Sequence, residues 1–231
     1  MTKNWLIALV LCFAGIAQAQ ESNLSVTLGV RAWNAQWDTF SYQDTGGGNF
    51  VITQTPADEK FVLVPLLSVR YGDFVGHLSM YPSTDHHFIN AGGSGTRKEL
   101  DVNVGYFVAP GVVATLGYKR IERSDSGNRF SLNGPVAGVS LTASLGGDFA
   151  LYGNVVLGRL KTRSGDLIQF DVDYRLSEVG VAYAVTPPSI AKALTFTVGY
   201  RSQVLSAKDA VQGQDGRDLT QGLTLGVLAT F

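Results

Sequence analysis

The sequence predicts an all-β chain folded as an up-and-down antiparallel barrel of ten strands, with eight as the alternative count. Three observations predict it. Apolar and polar residues alternate with period two in segment after segment. Several segments reach the roughly 9–11 tilted residues that cross a bilayer as strands. The connections between them alternate between tight turns and long polar loops. Composition agrees: 45% of residues are hydrophobic and only 16% charged, against about 25% charged in soluble domains. Low charge with 12 Phe and 9 Tyr excludes disorder. A formal net charge of −1 excludes a basic nucleic-acid surface, so no nucleic-acid partner is expected.

The first element, 1–19, reads as a removable signal peptide. Lys3 supplies the positive start, Trp5 to Ala17 is apolar, and Ala17-Gln18-Ala19 is a small-x-small cleavage site near Ala19. The apolar run is too short for a spanning helix, which needs about 20 residues. The single cysteine, Cys12, lies in this segment, and the bulky Leu11 before it argues against lipid attachment there. The mature part, 20–231, is one domain without thiols or disulfides.

Strands are expected at about 23–37, 61–71, 74–81, 98–108, 112–122, 136–145, 149–161, 168–185, 194–204 and 219–231. In the first, Leu24, Val26, Leu28 and Val30 alternate with Ser25, Thr27, Gly29 and Arg31; Leu100 to Tyr106, Val139 to Leu145 and Leu194 to Tyr200 repeat the pattern. The 74–81 segment is the weakest, and making it loop would give eight strands. Gly72-Asp73, Ala109-Pro110-Gly111, Gly146-Gly147-Asp148 and the Pro187-Pro188 segment are the tight connections. Residues 38–60, 82–97, 123–134 and 205–218 are the long loops, with a shorter one near 162–167. In 168–185 the odd positions are apolar from Val179 to Val185 but charged at Asp171, Asp173 and Arg175. This conflict is read as a strand projecting beyond the bilayer rather than as a bulge near Leu176. Tyr71, Tyr106 and Tyr183 at the turn side, with Tyr118 and Tyr200 toward the loops, match aromatic girdles. The last strand alternates to its end at Phe231.

On these features the mature chain resembles the small outer-membrane β-barrel proteins of Gram-negative bacteria. The resemblance is architectural and identifies no subfamily. It implies location in the outer membrane and contact with outer-membrane lipids and lipopolysaccharide. It also implies that Phe231 is part of the signal read by the barrel-assembly machinery.

Polar residues on the inward parity are the candidate lumen lining: Arg31, His77, Ser79, Glu99, Asp101, Asn103, Lys119, Glu178 and Arg201, with Arg70 and Gln203. Both signs of charge occur, so pairing across a narrow lumen is expected, because an unpaired buried charge costs several kcal/mol. His77 and Ser79 share one face, where they could serve as base and nucleophile with Glu99 or Asp101 as orienter. Phe74, Gly76, Leu78 and Met80 make the opposite face apolar, which turns His77 and Ser79 away from lipid. No catalytic residue is therefore assigned.

Asp85-His86-His87 reads as surface loop, its adjacent histidines pointing opposite ways and unsuited to one metal. Gly46-Gly47-Gly48 and Gly92-Gly93-Ser94-Gly95 read as loop tips. Lys98, Lys119, Arg120, Arg123 and Arg129 gather toward the loop side, where lipopolysaccharide phosphates are expected partners. No metal and no cofactor is expected, and no oligomeric state is legible. The expected function is non-enzymatic: a structural or surface-interaction role, porin-like at most in limited small-solute passage. The alternatives are a lipid A-modifying hydrolase and a secreted soluble β-sandwich binding protein.

Overall fold

The computed structural model describes residues 24–89, 92–125, 128–164, 168–211 and 213–231. The expected signal peptide lies outside the described residues. Eleven strands follow in chain order: β1 (Leu24–Gly46), β2 (Asn49–Pro56), β3 (Lys60–Tyr71), β4 (Phe74–His87), β5 (Ser94–Ala109), β6 (Val112–Asp125), β7 (Asn128–Gly146), β8 (Phe149–Ser164), β9 (Ile168–Val185), β10 (Ala193–Val211) and β11 (Gln214–Thr230). Ten of them form a closed antiparallel up-and-down barrel. β1 pairs with both β3 and β11, and Val26 and Phe231 exchange backbone hydrogen bonds at the seam, at 3.2 and 2.8 Å. Closure leaves no open edge in the wall.

The eleventh strand is the main departure from the expected loops. Residues 38–60 are not simply loop: the upper part of β1 turns back as β2, with Asp38 opposite Pro56 and Asp44 opposite Phe50. This arm also reaches β11: the Gln54 amide donates to the Arg217 carbonyl at 3.4 Å and the Ile52 backbone amide to the Gln214 side chain at 3.3 Å. The Phe40 ring sits over Gly216, where any Cβ would be within 2.3 Å of it, so only glycine leaves room. Likewise 205–218 is a continuation of β10 and β11, paired as far as Val211 and Gln214. The doubtful 74–81 strand is the lower part of β4, and strands β4 and β5 continue through most of 82–97. β9 keeps one register from Ser164–Ile168 to Phe149–Tyr183 against β8, without a bulge.

Tight turns close the opposite end. Gly72 adopts a φ of 57° between Tyr71 and Phe74, which face each other across the hairpin. Around that end the outward residues are apolar or aromatic and exposed, as at Tyr71, Phe74, Tyr106, Phe149 and Tyr183. Phe74 packs against Tyr106 with ring centres 5.1 Å apart, and Phe149 against Tyr183 at 4.8 Å. Further along the same strands the outward positions become polar and the inward ones apolar. Ile121, Leu132, Val136, Leu160, Val172, Leu176 and Leu205 form a buried cluster inside the barrel on the loop side.

Candidate functional site

The alternation of each strand sends every second side chain into the lumen. On the turn side these are small or polar and half-buried: Thr27, Ser68, His77, Asn103, Ser140, Asn154 and Thr197. Arg70 lies there too, its guanidinium 4.1 Å from the Phe107 ring centre and its Nε donating to the Gly72 carbonyl at 2.9 Å. Toward the loops the lumen fills with charge.

Two groups of ion pairs cross it. Glu178 on β9 receives Arg31 from β1 at 3.3 Å and Arg201 from β10 at 3.1 Å. The Tyr152 hydroxyl donates to Glu178 at 3.3 Å. Room for that tyrosine comes from Gly180 and Gly199, which face each other across β9 and β10. A Cβ on Gly180 would stand 2.6 Å from the Tyr152 hydroxyl, and one on Gly199 closer still.

The second group is larger. Glu99 on β5 accepts from Lys119 at 2.5 Å, Arg97 at 2.7 Å and the Gln203 amide at 2.9 Å. Lys119 also reaches Asp101 at 2.8 Å, and the Ser79 hydroxyl donates to the same carboxylate at 3.4 Å. Arg97 continues to Asp218 on β11 at 3.1 Å. Asp218 further accepts from Arg123 at 2.7 Å and from the Trp37 indole at 2.9 Å. Aromatic faces cover the cations: Trp33 lies 5.2 Å from the Arg201 guanidinium and Tyr174 5.6 Å from the Lys119 ammonium. Lys119 is fully buried and Arg97, Glu99 and Asp218 nearly so. Charges so desolvated persist only because each meets opposite charge and hydrogen bonds.

Of the eleven lumen candidates, Arg31, Glu178 and Arg201 come together in one group, and Ser79, Glu99, Asp101, Lys119 and Gln203 in the other. His77 and Asn103 face each other across β4 and β5 on the half-buried turn side, and Arg70 lies nearer the turns. His77 and Ser79 share the inward face, and the Ser79 hydroxyl is engaged by Asp101 rather than by His77.

Three members of the charged belt escaped the sequence reading: Arg97, Arg123 and Asp218. Each lies one residue beyond an expected strand end, at 98, 122 and 219. Extending the inward parity by one more residue would have found them. Arg123 and Lys119, assigned at the sequence level to lipopolysaccharide phosphates, instead point inward and are spent on Asp218, Glu99 and Asp101. Lys98 and Arg120 do lie outside, where both pair with Glu122.

The expectation for His86 is also corrected. A register shift between Tyr81 and Thr84 reverses the parity of β4. His86 is thereby turned inward and fully buried, 3.0 Å from the Tyr81 hydroxyl, while His87 stays exposed. The His87 amide donates to Asp58 at 2.8 Å. Slight burial pushes the Asp58 carboxyl up, but the Lys60 ammonium and this amide outweigh it and hold the group below its usual range.

No protein-family model and no curated protein sequence matches the chain. Solved structures do. The outer membrane protease OmpT from Escherichia coli is similar with a TM-score of 0.50 and 12% identity, covering 93% of this chain and 99% of that one. The outer membrane protein AlkL, determined in lipid bilayers, has a TM-score of 0.49 and 11% identity, with 93% of each chain covered. At such identities the likeness is one of fold. The closed ten-stranded wall, its apolar outer band and the likeness to the OmpT structure give the chain the fold of the small outer-membrane β-barrel proteins.

Proposed function

We propose that the protein is a resident of the outer membrane with a structural or surface-interaction role, non-enzymatic, and with a lumen that passes small solutes at most sparingly. One observation carries this reading: the belt in which Glu99, Asp101, Glu178 and Asp218 are each held by cations, with Arg31–Glu178 and Arg97–Asp218 joining strands that are not neighbours. A barrel near eight to ten strands has an interior that side chains can fill, and here buried ion pairs and the apolar cluster above them occupy it. Below the belt the lumen is a half-exposed polar cup. The lining at His77 and Ser79 carries no hydrolase assignment, since both face the lumen and the serine is bound to Asp101.

The reading is tested in planar bilayers. Unmodified protein is expected to show small, intermittent conductance at most, rising when Arg31 and Arg201 are both replaced by Ala. Large, steady conductance from unmodified protein would overturn it and make a pore the leading function.

A further inference from the structure

The outer wall around β8 carries two features that the lumen does not explain. The first is a notch. Gly153 stands at an outward position on β8, between Leu141 on β7 and Val179 on β9. Lacking a side chain, it leaves a groove of about 380 Å³ on the outer surface, walled by Val139, Leu141, Val155, Val179 and Tyr200. A Cβ at Gly153 would meet only the Glu178 carbonyl, at 3.7 Å.

The second feature, directly above it, is a charged row with an excess of cations, in which Asp173 and Asp171 on β9 stand opposite Arg159 and Lys161. Following the outward parity of β8 past Leu157 leads to Arg159, Lys161 and Arg163, all exposed, and Arg175 on β9 lies beside Leu157. Arg159 pairs with Asp171 at 3.0 Å. Lys161, Arg163 and Arg175 have no ion-pair partner among the described residues. By contrast, β1 and β11 carry the uncharged Asn34, Gln36, Leu219 and Gln221 at the first outward positions above their apolar residues.

The spacing of the two features matches one lipid. Gly153 and Arg159 are six residues apart, about 20 Å along a strand at ~3.3 Å per residue. With a strand tilt of about 40° that is roughly 15 Å of depth, half the ~30 Å hydrocarbon core. A headgroup held by the cations of this row therefore places an acyl chain in the notch. Arg159 and Lys161 on successive outward positions, about 7 Å apart, with Arg175 on the next strand, suit a headgroup with more than one phosphate. Guanidinium groups bind such oxygens in bidentate fashion.

We propose that the β7–β9 wall is a binding site for lipopolysaccharide, with the lipid A phosphates on Arg159, Lys161 and Arg175 and one acyl chain in the Gly153 notch. The site rests on the outer-membrane reading above, which puts the long-loop end in the outer leaflet.

The test uses the mature chain in detergent, its folded state checked by the mobility of unboiled protein on a denaturing gel. Lipid A, lipid A stripped of its phosphates, and phosphatidylglycerol are titrated separately and bound lipid is read by native mass spectrometry. Lipid A is expected to bind about tenfold or more tightly than either other lipid, a difference of roughly 1.4 kcal/mol. The combined R159Q, K161Q and R175Q variant is expected to lose that preference. Gly153→Leu fills the notch, and is expected to weaken lipid A binding while keeping its salt dependence. Lys98→Gln, on β5 three strands from β8 and already paired with Glu122, is expected to change nothing. Equal binding of lipid A and its phosphate-free form would overturn the proposal, as would unchanged binding by either wall variant. Fractionation separates the two levels: a chain found in the outer membrane that ignores lipid A loses only this site. A chain found elsewhere loses the reading beneath it.

Discussion

The turn-side and loop-side halves of this barrel obey opposite rules on the same strands. On β8 the turn-side residues Leu151, Val155 and Leu157 point outward and Ala150, Tyr152 and Asn154 inward; further along, Arg159, Lys161 and Arg163 point outward while Leu160 and Thr162 are buried inside. β9 repeats this, with Val179, Val181 and Tyr183 outward in one half and Asp171, Asp173 and Arg175 in the other, over inward Val172, Tyr174 and Leu176. Geometry does not change between the halves, because the register is continuous. What changes is the solvent on the outer face. Where the wall meets lipid, the outside is apolar and the inside can be polar. Where it rises into water, it becomes an ordinary small barrel with an apolar core. The charged belt sits at the junction, desolvated from both sides.

This contrast can be broken in order of expected effect. Removing a hub of the belt should cost most. Glu99→Ala strips carboxylate from Lys119 and Arg97 and an acceptor from Gln203, and about 3–5 kcal/mol of stability is expected to go with it. Denaturant unfolding followed by gel mobility measures this; a loss under 1 kcal/mol would mean that water reaches the belt.

Charge on the outer face should come next, and should depend on the half that receives it. Leu151→Arg, in the turn-side half, is expected to destabilise by about 2–4 kcal/mol, and Ser206→Arg, at the same outward parity in the loop-side half, by about 0–1 kcal/mol. Equal costs in a lipid-based unfolding experiment would erase the distinction between the halves.

The smallest effect belongs to an ion pair in the loop-side outer face. Arg159 and Asp171 sit 3.0 Å apart with both side chains exposed. Asp171→Ala is expected to change stability by no more than about 1 kcal/mol, less in high salt. A larger loss would show that this face is not open to water.

Much of the site was legible because a strand has only two faces. Once Val30 or Leu100 is taken as outward, Arg31, Glu99 and Asp101 must point inward, and so they do. The same logic failed where the outer face changed solvent. The expected strands stopped near Lys98, Glu122 and Leu219, where outward apolar residues thin out, although pairing continues to Ser94, Asp125 and Gln214. Arg97, Arg123 and Asp218 were lost at those boundaries. His86 was lost differently, through a one-residue parity shift after Tyr81 that the Pro82-Ser83 pair did not announce.

By itself the sequence determined the strand alternation, the count of ten wall strands and the inward parity of the polar residues. These are local properties, written in period-two hydrophobicity and in turns such as Gly72-Asp73. Only the tertiary structure decided which charges meet. Trp37 and Arg97 find Asp218 across 181 and 121 residues, and Gln203 finds Glu99 across 104. Such partners are set by how far each strand slides against its neighbour before the sheet closes on itself, and that stagger is a property of the whole ring.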